Sequence, residues 1–148
     1  MSSTLAQQVD QELRAHLEPL GWTLDDHARL GETSRPDLLA RDPDGRYYVI
    51  EFRFDSPSPL HFGRLAQVDR YRKLAQTTLP TSEPVRAVIF YSGPADPAVL
   101  EDARSLDVDL VPVDAADPDG AARELEAGLR ERRGPEAEEM GSGETVSR

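Results

Sequence analysis

Apolar residues recur along this chain with two distinct periods. Leu5, Val9, Leu13, Leu17 and Leu20 fall at helical spacing, behind Ser3 as an N-cap and ended by Pro19 and Gly21. Trp22 to Leu30 alternates in the manner of a strand. Asp37–Arg41 and Arg46–Phe54 predict a hairpin closed by Asp42-Pro43-Asp44-Gly45, a strong turn signal. The Ser56–Pro59 run breaks the chain ahead of a second helix over 61–77. Val85 to Tyr91 is an apolar run suited to a buried strand between Pro84 and Gly93-Pro94. A third helix over 96–106, a strand over 108–113 and a short amphipathic helix over 121–132 follow. Gly134 to Arg148 has the composition of a disordered acidic tail. The order predicts an α/β fold, a central mixed sheet flanked by helices, in a single domain over residues 1–133.

Strand and helix periods also predict which side chains meet. Alternation places Tyr47, Val49 and Glu51 on one face of a strand that looks central, with Arg53 following on the same side. Asp37 begins the paired strand, so both carboxylates and the guanidinium can gather at one sheet edge. On the second helix Leu65, Val68, Tyr71, Leu74 and Ala75 share one side, with Gln67 and Arg64 in the same arc. Gln67 and Tyr71, four apart, are surface neighbours. Lys73, the only lysine, falls near the opposite face with Asp69. Two converging carboxylates form the hard oxygen site that holds Mg²⁺ with several waters. Metal-assisted phosphodiester hydrolysis uses such sites. Plainer roles stand beside this one. Glu51 can simply pair with Arg53 or Arg35, Asp37 can close a loop, and Gln67 and Tyr71 can belong to an ordinary half-buried helix. Trp22 and Phe90 are expected in the core.

The string Pro36-Asp37, the spacer, and Glu51-Phe52-Arg53 on the next strand resemble the PD-(D/E)xK nuclease superfamily, which has the restriction-endonuclease-like fold. Gln67-Val68-Asp69-Arg70-Tyr71 is similar to the Gln-x-x-x-Tyr helix of the branch that includes RecB-type nucleases. The resemblance covers roughly residues 5–113 and departs from the motif at Arg53, where the family has Lys. It implies a Mg²⁺- or Mn²⁺-dependent nuclease acting on DNA. Asp37 and Glu51 would be metal ligands, Arg53 would position water, and Gln67 and Tyr71 would shape the site. It also implies a further acid on the first helix, Glu12 or Asp10. If the family Lys must deprotonate water, Arg cannot replace it, because a guanidinium stays protonated far above neutral pH. If the cation orients water and stabilises charge on the phosphate, Arg53 suffices. Sixteen arginines to one lysine point to a coding bias that makes this replacement less informative.

Composition sets the outer limits. The 148 residues suit one core. No apolar run approaches the length of a membrane span, and the amino terminus lacks a signal-peptide core. With no cysteines, disulfides and thiolate metal sites are excluded, and a cytoplasmic location is expected. Three scattered histidines form no zinc pattern. The net charge of −11 opposes nucleic-acid binding, yet residues 35–86 alone carry nine cations against seven acids. The partner that the resemblance implies is DNA, met through a local patch, a homodimer or a partner protein that supplies target recognition, as in defence or repair assemblies. The competing expectation is a catalytically inactive nuclease-fold module acting in protein binding or assembly, which the acidic surface and Arg53 favour. A regulatory α/β domain without nuclease ancestry would bind no metal.

Overall fold

In a computed structural model of the protein, residues 4–31, 34–54 and 60–114 are described, together with positions 117, 123 and 127. The first helix, α1, spans Leu5–Leu17. Its cap is Thr4 where Ser3 was expected. The Thr4 hydroxyl accepts the Gln7 N–H while the Gln7 side chain accepts the Thr4 N–H, a reciprocal capping box that Ser3, one residue earlier, is out of register to form. Leu20 lies outside α1, because Pro19 turns Glu18–Leu20 into a 3₁₀ segment.

The strand expected over 22–30 is only Thr23–Asp25 (β1). Alternation holds through Asp25 and stops there, where its carboxylate accepts the His27 N–H and the backbone bends. β2 (Leu38–Arg41) and β3 (Tyr47–Arg53) form the expected hairpin, with Asp37 just outside the strand. Gly45 adopts φ +90 in the turn, a conformation that costs glycine nothing. α2 (Phe62–Thr78), β4 (Arg86–Tyr91), α3 (Pro97–Leu106) and β5 (Val108–Pro112) complete the described elements. The 56–59 break, most of the helix expected over 121–132 and the tail expected over 134–148 lie outside the described residues.

The five strands stand in the order β1-β2-β3-β4-β5, antiparallel up to β3 and parallel from β3 onward. Strand, helix and parallel strand repeat, as β3-α2-β4 and β4-α3-β5. One face packs under α1, where Val9, Leu13 and Leu17 meet Leu38, Tyr48, Ile50 and Phe90, with Trp22 closing the end. The other packs under α2 and α3, where Leu65, Val68, Tyr71, Ala75 and Val99 meet Leu39, Val49, Ala87 and Ile89. Covering on both faces explains why residues 87–90 are apolar without alternation.

One departure from the helical arc concerns Asp69. It is 7% exposed, although the arc put it toward solvent. Arg72 and Lys73 are its ion-pair partners, and their charges offset the cost of burying its carboxylate.

The hairpin turn is held by one buried side chain. Asp42 accepts the N–H groups of Asp44 and Arg46 at 2.9 and 3.0 Å and the Tyr48 hydroxyl at 2.9 Å. Asp42→Ala leaves these donors without the carboxylate and should cost about 3 kcal/mol in denaturant unfolding, against about 1 kcal/mol for Tyr48→Phe. Equal losses in the two variants would show that the turn does not depend on this carboxylate.

Candidate active site

β3 runs down the middle of the sheet, and its last residues carry the polar cluster. Glu51 pairs in register with Ile89 of β4, and Arg53 with Tyr91. The Arg53 carbonyl accepts the Ser92 N–H at 3.2 Å, and the Ser92 hydroxyl donates to the Phe54 carbonyl at 2.7 Å. The strand end is therefore fixed to its parallel neighbour. Antiparallel pairing of Leu38 with Ile50 brings Asp37 opposite this same end.

The two acids meet there. The Asp37 backbone N–H donates to Glu51 Oε2 at 2.7 Å, and Asp37 Oδ2 accepts the Phe52 N–H at 2.8 Å. Arg53 lies between the carboxylates. Its Nη1 donates to Asp37 Oδ2 (3.2 Å) and to the Phe52 carbonyl (2.7 Å). Its Nη2 donates to Glu51 Oε1 (2.8 Å) and to Gln67 Oε1 (3.0 Å). The four Nη hydrogens thus have four oxygen acceptors, while the buried Nε has none among the described residues. Gln67 Nε2 donates in turn to the Tyr71 hydroxyl at 3.1 Å, so α2 holds the guanidinium from behind.

Asp37, Glu51, Arg53, Gln67 and Tyr71 are accordingly one connected hydrogen-bonded group. The plainer role of Glu51, an ion pair with Arg53, is also realised. Glu12 is not part of the group; it faces His16 one turn on, at 3.8 Å. Asp10, the other candidate on the first helix, lines a recess of about 350 Å³ together with Ala6, Gln7, Asp26, Asp37, Phe52 and Arg53. Asp10 Oδ2 holds Arg14 at 3.2 Å, and its buried Oδ1 has no hydrogen-bond partner among the described residues. Which side of α1 meets the sheet edge decides between these acids, and no spacing within α1 encodes that. Two participants were missed from sequence: the Phe52 carbonyl, which no side-chain pattern announces, and Asp26 in the bend after β1. Lys73 pairs with Asp69 on α2 and is not among the residues lining this recess.

The electrostatics are uneven. The Glu51 side chain is 4% exposed, that of Arg53 18% and that of Asp37 41%. Burial and, next, the neighbouring Asp37 charge push the Glu51 carboxyl up to about 7, against the opposing pull of the Asp37 N–H and Arg53. The donor set suits a hard divalent cation, since the two carboxylates, a backbone carbonyl and an amide oxygen all converge on one positive group. Among the described residues no cluster of three or more His, Cys, Asp or Glu side chains forms a fuller cage. Mg²⁺ commonly uses one or two carboxylates and keeps its waters.

The architecture has known counterparts. EndoMS, solved as a complex with double-stranded DNA, superposes with a TM-score of 0.56 at 13% identity, over 78% of this chain and 47% of that one. A repair endonuclease from Pyrococcus abyssi gives 0.57 at 12% identity, over 78% of this chain and 49% of that one. A protein from Vibrio cholerae gives 0.53 at 15% identity, over 82% of this chain and 31% of that one. The chain therefore has the restriction-endonuclease-like fold and spans about half the length of the two endonucleases it matches. The expected fold class is the observed one, and the PD-(D/E)xK resemblance agrees with these neighbours. No protein-family model and no curated protein sequence matches the chain.

The Glu51 shift has a measurable consequence in metal-free protein. Its folded-state value lies above the ordinary 4.5, so the folded state holds the proton more tightly than the unfolded one. Stability from this group is greatest below pH 4.5, declines as pH rises to about 7, and is flat above. The decline should amount to about 3 kcal/mol. Glu51→Gln should remove it, and denaturant melts of the two proteins from pH 4 to 8 in chelator should converge at the acid end. Parallel curves would contradict the assignment.

Proposed function

We propose that this chain is a divalent-metal-dependent nuclease that hydrolyses phosphodiester bonds in DNA, working in the cytoplasm as a subunit of a larger defence or repair assembly. The observation that carries this reading is the convergence of Asp37, Glu51, the Phe52 carbonyl and Gln67 on a single cationic group at the end of a central strand. A buried carboxylate needs a counter-charge, and at Glu51 that charge is the Arg53 guanidinium, which Asp37 shares. The nuclease fold supports the reading, as does the double-stranded DNA held by a neighbour of that fold.

In this proposal Asp37 and Glu51 hold Mg²⁺ or Mn²⁺. When bound, the ion polarises the phosphodiester and acidifies water. Glu51 would have to be ionised to serve as a ligand. Arg53 cannot act as a base; it orients the attacking water and donates to the phosphoryl oxygens as negative charge builds there. Gln67 and Tyr71 keep the guanidinium in line, and Asp10 fits the first-helix acid better than Glu12, because it borders the recess. The catalytic domain is placed over residues 1–133. Target recognition is proposed to come from a second copy or a partner protein. Among the described residues no helix is long and apolar enough to cross a membrane.

One observation favours a second reading, a catalytically inactive module used in binding or assembly. Arg53 already bridges both carboxylates, and a guanidinium in that position satisfies them without a metal. Calorimetric titration of Mn²⁺ into the parent protein and Glu51→Gln separates the two. The nuclease reading expects heat in the parent and roughly 100-fold weaker binding in the variant, with metal-dependent plasmid nicking lost in Asp37→Ala. Equal heats in both proteins would remove it and leave the inactive module.

A further inference from the structure

α2 carries a second row of polar residues beside its apolar side. His61, Arg64, Gln67 and Arg70 recur every third position, which on an α-helix traces one continuous ridge. Together with Gly63 and Ala66 they line a recess of about 520 Å³. Among the described residues no acid lines this recess, a departure for a chain of net charge −11. Four arginines elsewhere have acid partners: Arg14 with Asp10, Arg46 with Glu83, Arg72 with Asp69 and Arg86 with Asp107. Among the described residues the side chains of Arg64 and Arg70 have no hydrogen-bonding or ion-pair partner, and both residues are exposed.

The ridge also connects to the acid cluster. Gln67, in the middle of the row, accepts from Arg53 Nη2. Arg64 lies one turn before that point and Arg70 one turn after it. His61 Nδ1 accepts the Gly63 N–H at 3.2 Å, which leaves Nε2 to carry the ring proton and face outward as a donor. Three residues rise about 4.5 Å along a helix, so Arg64 and Arg70 stand about 9 Å apart along the axis. Such a spacing lets two guanidiniums grip separate phosphates of one strand while the phosphate between them meets Arg53.

We propose that the His61–Arg64–Arg70 ridge is a track for the sugar-phosphate backbone of one DNA strand, gripping the phosphates on either side of the one presented to Asp37 and Glu51. The proposal rests on the reading that this face meets DNA. It adds where the strand lies and makes the contact independent of base sequence, since guanidiniums on phosphates position without specifying.

The test is fluorescence-anisotropy titration of the full chain, in chelator so that nothing is cut, against two labelled duplexes of unrelated sequence at several salt concentrations. Arg64→Ala/Arg70→Ala should bind both duplexes about tenfold more weakly, with a log-affinity against log-salt slope smaller by about 1.8. Arg64→Gln/Arg70→Gln should behave alike, which excludes a folding defect as the cause. Arg104→Ala, on the exposed side of α3, removes a cation elsewhere and should leave the slope near that of the parent. An unchanged slope in both ridge variants, a loss confined to one sequence, or a parent with no salt-dependent affinity would overturn the track. Nicking reports separately: ridge variants that bind and cut like the parent sink the track and leave the nuclease reading, whereas a parent that binds through the ridge but never cuts does the reverse.

Discussion

A carboxylate buried in the middle strand of a covered sheet has to be matched by positive charge, and much of this fold serves that need at Glu51. Parallel pairing with β4 and antiparallel pairing with β2 remove the strand from solvent on both edges, while α1 and the α2–α3 layer remove it from both faces. Arg53 sits two positions on, the shortest spacing that returns a strand side chain to the same side. Asp37 arrives through the hairpin, and Gln67 through the helix that crosses from β3 to β4. Each approaches from a different element, so no single segment could build the cluster alone.

Much of this was legible in the residues themselves. The Asp-Pro-Asp-Gly turn, the apolar run over 85–91 and the Gln-x-x-x-Tyr spacing each carry a local physical signal, and the corresponding elements are where those signals place them. Legibility ended where tertiary geometry decides. Helical spacing in α1 cannot say whether Asp10 or Glu12 faces the sheet edge. Alternation from Trp22 onward cannot foresee that Asp25 will capture a backbone N–H and stop the strand after three residues. The burial of Asp69 is made tolerable by ion pairs with Arg72 and Lys73, which an angular average does not register. The Phe52 carbonyl is invisible to any reading of side chains.

α2 does two jobs with one sequence. Leu65, Val68, Tyr71 and Ala75 lock it to the sheet, while Arg64 and Arg70 in the neighbouring row are exposed and have no ion-pair partner among the described residues. Gln67 lies on the boundary between these rows and hydrogen-bonds in both directions, to Arg53 and to Tyr71. Packing on the apolar side therefore sets the height of the outward row relative to the acids, a coupling that a loop-borne set of arginines would lack. The acidic remainder of the surface sharpens the contrast, since a polyanion meets repulsion over most of the chain.

The turn at Asp42–Gly45 lies at the far end of β3 from the acids, yet its length governs them. Side chains alternate along both strands, so losing or gaining one residue there would slide β2 against β3 by a step and carry Asp37 to the wrong side of its partner. Substitutions in this turn are open to drift within the limits of Asp42 and the left-handed glycine. Insertions and deletions are closed to it, and a lineage that acquired one would keep its sheet and lose the meeting of Asp37 with Glu51 and Arg53 in the same event.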